Sequence, residues 1–174
     1  MKKIILSFIF IFNFIFADAT KDLFDAINKS DISKIKVSIE NNANVNAKNN
    51  LGETPLDVLY QNSKLNLDKK YEIARILIEN NANVNFAKKF QSNILFYLLD
   101  NIPNIESSEE GIDEKEYTIN KDFIMYLIEN NIKLDSKKNQ LNLVEYAYSL
   151  YTPKEIIEEF IRKGVKYDSI INEL

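Results

Sequence analysis

The chain has 174 residues, a net charge of −4 at neutral pH, 45% hydrophobic and 28% charged residues. These values are typical of a soluble globular protein, and the length predicts one compact unit. The sequence contains neither His nor Cys. A catalytic triad, a thiol enzyme, a zinc finger, a His- or Cys-ligated haem and a disulfide are therefore all excluded. The negative charge argues against nucleic acid as the partner.

Residues 1–19 have the three parts of a secretory signal peptide. Lys2 and Lys3 form a basic start, an apolar run follows at positions 4–16, and Ala-Asp-Ala at positions 17–19 is a small-x-small cleavage pattern. We therefore predict cleavage after Ala19, a mature chain of residues 20–174 and a periplasmic or secreted location. The alternative is a membrane anchor, but a span needs about 17 to 25 apolar residues, more than this run contains.

An eight-residue sequence recurs along the chain. IENNANVN occupies residues 39–46 and again 78–85, and degenerate copies occupy 128–135 (IENNIKLD) and 161–168 (IRKGVKYD). The spacings between successive copies are therefore 39, 50 and 33. The shortest spacing, about 33 residues, is the period of ankyrin repeats, and the two longer spacings equal that unit with insertions of about 6 and 17 residues.

The segment at residues 52–57, Gly-Glu-Thr-Pro-Leu-Asp, resembles the G-x-T-P-L-H signature of the ankyrin repeat family, and weaker versions occur at residues 93–96 and 142–145. The resemblance implies an all-α fold, an ankyrin-repeat solenoid of about four helix-turn-helix units joined by hairpin-like loops. It implies a single domain at 20–174, with repeats at about 20–47, 48–86, 87–135 and 136–168 and a C-terminal cap at 169–174. The signature His is replaced by Asp57, Phe96 and Glu145.

Each outer helix is expected to stop at the Asn-Asn step of its repeat. Many helices are followed by a residue in the left-handed conformation. Gly favours this conformation most, and Asn is second. We predict this conformation at four equivalent positions: Asn42, Asn81, Asn131 and Gly164. At the last outer helix, Thr152 is the predicted N-cap and Pro153 the predicted first helical residue.

Two insertions are expected between inner and outer helices, at residues 61–70 and 101–120. The second contains six acidic residues and one lysine, and we predict a mobile acidic loop. A divalent-cation site is the alternative, since hard cations prefer carboxylate oxygens. The spacing differs from that of a calcium loop, which favours a solvated loop.

Ankyrin-like proteins generally bind partners through hairpin tips and the exposed side of inner helices. The tips contain five lysines and so predict a partner with an acidic surface, with Leu51 and Phe90 as apolar anchors. Solvated tips without a binding role are the alternative. Four aromatic residues of the inner helices, Phe96, Tyr97, Tyr146 and Tyr148, are predicted to be core. The predicted partner-binding residues are Lys48, Asn50, Leu51, Glu53, Lys88, Lys89, Phe90, Ser92, Lys137, Lys138, Asn139 and Leu141.

These features predict a monomeric, non-catalytic protein-binding module without cofactor, metal or stable membrane anchor. One alternative is an accessory protein for a haem or metal enzyme that does not itself ligate the cofactor, since after signal removal only Met125 and tyrosines remain as side-chain haem ligands. An enzyme is the least supported class. Adjacent acids such as Glu109 and Glu110 in a mobile loop lack the fixed separation that acid–base catalysis requires.

Overall fold

The computed structural model describes residues 18–85, 94–102 and 114–167. Within these ranges the regular elements are α-helices, apart from one isolated β-bridge, which confirms the predicted all-α class. The predicted second tip at 88–92, the C-terminal cap and nearly all of the signal peptide lie outside the described residues. The helices are α1 (18–29), α2 (Ile32–Glu40), α3 (Pro55–Gln61), α4 (Leu67–Glu79), α5 (Ile94–Asp100), α6 (Glu114–Glu129), α7 (Leu143–Ser149) and α8 (Lys154–Arg162).

The chain divides into two compact units, Met1–Lys89 and Phe90–Leu174. The division falls close to the predicted boundary between the second and third repeats. Helices α1 to α4 belong to the first unit, where α3 packs against α4. Helices α5 to α8 belong to the second unit, where α5 packs against α6 and α7, and α7 packs against α8.

The outer helices α4, α6 and α8 each bury one apolar stripe, whereas the buried residues of α2 are Ile35 and Ser38. In α8 the buried residues are Ile156, Ile157 and Phe160, at the i, i+1, i+4 spacing of one helix face. Helix α4 repeats this pattern, and its buried apolar residues are Ile73, Ala74, Leu77 and Ile78. Helices as short as α8 and α4 are only marginally stable alone, so burial of these stripes against the neighbouring helix stabilises them.

All four outer helices end in the same way, and the predicted left-handed residues are confirmed. At the end of α4, Asn81 has φ 70°, and the N–H groups of Asn81 and Ala82 donate to the carbonyls of Ile78 and Leu77, both at 2.9 Å. This is the Schellman arrangement, which satisfies carbonyls that the helix itself leaves open. The other three equivalents are Asn42 (φ 64°), Asn131 (φ 61°) and Gly164 (φ 88°).

The residue after each left-handed position is apolar and buried. These four residues are Ala43, Ala82, Ile132 and Val165. Burial of this residue commonly accompanies the Schellman motif and fixes the direction in which the chain leaves the helix. The repeated sequence therefore encodes a repeated local structure.

Two inner helices end in the same arrangement, which the sequence did not predict. Ser30 after α1 has φ 58°, and Tyr151 after α7 has φ 54°. Neither residue type favours the left-handed conformation, so composition gave no signal at either position.

The acids that replace the signature His have a local role at the start of their helices. Asp57 closes a capping box, because the backbone N–H and the hydroxyl of Thr54 both donate to its Oδ2 atom, at 2.9 and 2.8 Å. Glu145 does the same for α7 by accepting the backbone N–H of Asn142 at 2.9 Å. A capping box satisfies backbone donors that would otherwise lack partners.

The predicted start of α8 is wrong by one residue. Pro153 is the N-cap, and no side chain caps the helix. The N–H of Thr152 donates to the carbonyl of Ala147 at 3.0 Å, so Thr152 completes the end of α7. Its hydroxyl is buried and has no hydrogen-bond partner among the described residues.

The predicted acidic loop is wrong at its C-terminal side, because residues 114–120 are helical. They form the first two turns of α6, where the exposed Glu114 is favourably placed toward the helix dipole. Asn120 is fully buried and donates to the carbonyl of Asn101 at 3.0 Å. Residues 103–113 lie outside the described ranges, and the cation-site alternative stays a prediction.

Candidate functional site

The first tip is a turn organised by Asn49. Its Oδ1 atom accepts the backbone N–H groups of Leu51 and Glu53, both at 2.9 Å, and its own N–H donates to the carbonyl of Glu53 at 2.9 Å. Gly52 has φ 77°, a conformation that glycine adopts without steric cost. The turn projects Lys48, Asn50 and Leu51 into solvent, and the Leu51 side chain is 71% exposed.

Glu53 differs from the other predicted binding residues of this tip. It is only 9% exposed, and its carboxylate accepts hydrogen bonds from Asn49 at 3.0 Å and from Gln61 at 3.2 Å. Glu53 therefore supports the turn from inside, and Leu51 is the apolar side chain that the tip presents.

The tip of the last repeat is a two-residue hairpin. Lys138 and Leu141 exchange both backbone hydrogen bonds at 2.9 Å, and the central residues Asn139 and Gln140 have φ 52° and 71°. Two consecutive positive φ angles are the signature of a type I′ turn, in which Asn is favoured. Lys137 and Asn139 are exposed and Leu141 is half-buried. The predicted residues of the second tip, Lys88, Lys89, Phe90 and Ser92, lie outside the described residues.

Lys138 is held inside a cluster with Asp100 and Tyr146. Its ammonium group contacts Asp100 Oδ2 at 2.5 Å and lies 4.7 Å from the centroid of the Tyr146 ring. The Tyr146 hydroxyl donates to Asp100 Oδ1 at 2.5 Å. The cluster joins the end of α5, the hairpin and α7, which are the inner elements of two successive predicted repeats.

The protonation states of this cluster follow from its contacts. Burial, followed by the hydrogen bond to Asp100, raises the pKa of Tyr146 above its usual value. Burial lowers the pKa of Lys138, but its hydrogen bonds to Asp100 and Tyr146 together outweigh burial and raise the pKa. At neutral pH Tyr146 is therefore a neutral phenol and Lys138 a cation. Because Lys138 already forms an ion pair with Asp100, Lys137 is the better residue for testing partner binding at this tip.

The inner-helix aromatics divide into core and surface. Phe96 is fully buried and Tyr146 is 8% exposed, as predicted for core residues. Their rings meet edge to face with centroids 5.1 Å apart. The prediction is wrong for Tyr148, which is 46% exposed. Tyr97 is half-buried.

A second cluster, which also consists of a lysine, a tyrosine and an acid, joins α6 to α8. The Tyr117 hydroxyl donates to Glu155 Oε1 at 2.6 Å, and the Lys121 ammonium lies 3.1 Å from the same atom. The hydrogen bond from Tyr117 is the largest cause that lowers the pKa of Glu155, to about 2, and Lys121 adds to it. Burial, followed by the bond to Glu155, raises the pKa of Tyr117.

Glu155→Gln should remove a stabilisation that depends on pH. Because the pKa of Glu155 is lower in the folded state, its contribution is complete above about pH 4.5 and is lost as the pH falls toward 2. The side chain is 46% exposed, so solvent screening limits the contribution to roughly 1 kcal/mol. Urea unfolding at pH 7 and pH 2.5 should show the difference between wild type and variant shrinking at low pH. Glu129→Gln removes an exposed charge of α6 that takes part in no ion pair among the described residues, and is the control; an identical pattern in both variants would contradict the assignment.

A basic groove lies between the arm that precedes the hairpin and the end of α8. It has a volume of about 630 Å³, and its lining includes four lysines and one acid. The lysines are Lys133, Lys137, Lys163 and Lys166, and the acid is Asp135. All four lysines are exposed. Such a surface can attract carboxylates or other anions.

Sequence reasoning named only Lys137 among these groove lysines. A signal was present for two others, because Lys133 and Lys166 occupy the same position of the repeated sequence, the sixth of IENNIKLD and of IRKGVKYD. Asp100 had no such signal, since its partner Lys138 is distant in the sequence and lies beyond an insertion.

Asn46 links the two predicted repeats of the first unit. Its Nδ2 atom donates to the carbonyl of Asn81 at 2.8 Å, and its Oδ1 atom accepts the N–H of Asn83 at 2.7 Å. One side chain thus satisfies two backbone groups of the next helix end. The repeated Asn residues therefore serve two structural purposes, helix termination and repeat-to-repeat contact.

Among the described residues, no group of three or more His, Cys, Asp or Glu side chains is placed to hold a metal ion. None of the helices in the described ranges has the length and apolarity needed to cross a bilayer. No protein-family model and no curated protein matches the sequence.

Proposed function

We propose that the protein is an exported, non-catalytic ankyrin-repeat protein that binds a partner protein through its hairpin tips. The observation that carries the proposal is the fourfold recurrence of one helix end, with a left-handed residue at Asn42, Asn81, Asn131 and Gly164 and a buried apolar residue after each. The four helix ends are 39, 50 and 33 residues apart, and the shortest of these spacings, which equals the ankyrin period of about 33 residues, supports the ankyrin assignment. Such a unit buries its apolar face only by stacking on another, which leaves the tips for binding.

The chemistry of the tips supports protein as the partner. Leu51 is a large apolar side chain exposed on a turn whose backbone is fixed by Asn49, and exposed apolar residues on rigid turns make good anchors. Lys137 adds a positive charge at the second described tip. The protein is acidic overall, so these charges attract an acidic surface locally without favouring nucleic acid.

Export is proposed from the N-terminal sequence. Cleavage after Ala19 would remove the first two residues of α1, including the buried Ala19. Thr20 would become the first residue, and its Oγ1 atom accepts the backbone N–H of Asn44 at 2.9 Å. N-terminal sequencing of the protein recovered from the periplasmic fraction should therefore begin at Thr20. An intact Met1 terminus in the membrane fraction would support a membrane anchor instead.

Crosslinking in living cells tests the partner-binding proposal. A tagged chain recovered from the exported fraction after crosslinking should carry one dominant protein, identified by mass spectrometry. If that protein is a haem or metal enzyme, the chain acts as an accessory protein of that enzyme. Recovery of the tagged chain alone, from cells crosslinked under several growth conditions, would contradict the proposal.

A further inference from the structure

The basic groove of the second unit has two fixed walls. One wall is the arm that contains Lys137, and the other is formed by Lys163 and Lys166 just after α8. The two walls are joined at Asn142, whose Nδ2 atom donates to the carbonyl of Lys166 at 2.9 Å. Asn142 also caps α7, so the hydrogen bond ties the groove to the helical framework. The groove is therefore built into the repeat.

Three of the groove lysines have no ion-pair partner among the described residues, although one acid, Asp135, also lines the groove. Lys137, Lys163 and Lys166 take part in none of the ion pairs within the described part of the chain. The helix dipole gives a structural reason for Lys163, which is the C-cap residue of α8. The dipole of α8 gives no such reason for Lys137, which lies in the arm before the hairpin.

We propose that this groove binds an acidic polypeptide segment of the partner protein. This inference rests on the proposed partner-binding function. Carboxylates complement the unpaired lysines, and Leu134 and Val165 in the lining provide apolar contacts for a neighbouring side chain. Its volume lies in the range of clefts that bind ligands. A long polyanion such as DNA would meet the negative charge of the rest of the protein, whereas a short segment meets only the groove.

Binding of a defined probe by the purified full chain tests the groove. The probe is a fluorescein-labelled peptide that alternates glutamate with leucine, and anisotropy measures its affinity at low salt. Lys137→Gln, Lys163→Gln and Lys166→Gln combined should weaken binding about tenfold and reduce its salt dependence. The control triple variant, Lys36→Gln, Lys64→Gln and Lys154→Gln, removes three exposed lysines outside the groove and should bind like wild type. Circular dichroism verifies that both variants are folded.

Several results would overturn the proposal. Equal losses in the two triple variants would mean attraction by overall charge, and no binding by wild type would leave the groove without a ligand of this class. If duplex DNA or anionic vesicles bound more tightly than the peptide, and this binding depended on the groove lysines, the natural ligand would be a nucleic acid or a membrane and not an acidic polypeptide.

Crosslinking separates this inference from the proposed function. If the groove triple variant crosslinks the cellular partner as efficiently as wild type, partner binding stands and the groove is not its site. If no partner is recovered from any cells, the proposed function fails, and peptide binding would then reflect charge without biological use.

Discussion

Replacing Phe96 by alanine should lower the free energy of unfolding of the second unit by about 3 to 5 kcal/mol. Phe96 is fully buried in α5 and packs edge to face on Tyr146. The truncation removes apolar contact and leaves a cavity that the surrounding helices can only partly close. It also removes the ring that positions Tyr146, whose hydroxyl holds Asp100.

Urea unfolding followed by circular dichroism, with hydrogen exchange of the α5 and α7 amides, measures this effect. Tyr148→Ala is the matched control, because Tyr148 is an aromatic residue of the neighbouring inner helix that is 46% exposed. It should change stability by about 0.5 kcal/mol or less. Similar losses in the two variants would contradict the assigned faces of α5 and α7.

Asn81→Val should destabilise the first unit by about 1 to 2 kcal/mol, whereas Asn81→Gly should be neutral or stabilising. Asn81 has φ 70°, where a β-branched side chain is strained and glycine is relaxed. The carbonyl of Asn81 also accepts the Asn46 side chain, so any backbone shift there weakens the contact between repeats.

Asn80→Val is the control, since it makes the same change one residue earlier, at φ −100°. It loses only an exposed hydrogen bond from Nδ2 to the carbonyl of Ile76 and should cost less than Asn81→Val. Thermal unfolding that ranks valine equal to glycine at position 81 would show that the repeat register is wrong.

The helix ends were predictable because their signals are local. Asn42, Asn81, Asn131 and Gly164 each follow an apolar helical stretch, and Asn and Gly are the residue types that favour the left-handed conformation. Ser30 and Tyr151 adopt the same conformation at two inner helix ends without such a signal. The start of α8 was predicted less accurately because α7 ends only a few residues before it. Thr152 hydrogen-bonds to the end of α7 and does not cap α8. Composition predicted a loop up to Asn120, but α6 begins at Glu114, and the Asn120 side chain donates to the carbonyl of Asn101, a contact that composition does not indicate.

The binding surface was predictable only in part. The sequence placed Lys48 and Leu51 on an exposed turn, where the structure has them, because turns can be recognised from their residue types. It could not indicate that Glu53 faces inward, where its carboxylate accepts hydrogen bonds from Asn49 and Gln61 of the same repeat. Nor could it indicate that Lys138 pairs with Asp100, because that contact depends on how two successive repeats stack. The groove lysines Lys163 and Lys166 likewise meet Lys137 only in the folded chain.

Site-specific photo-crosslinking in living cells tests most directly whether the tips are the binding surface. A photoreactive amino acid at position 51 or 137 should form an adduct with one exported protein. The same residue at position 37, an exposed apolar site on α2, or at position 158, an exposed site on α8, should form none. Adducts of equal yield from all four positions, or adducts only from 37 and 158, would contradict partner binding through the tips.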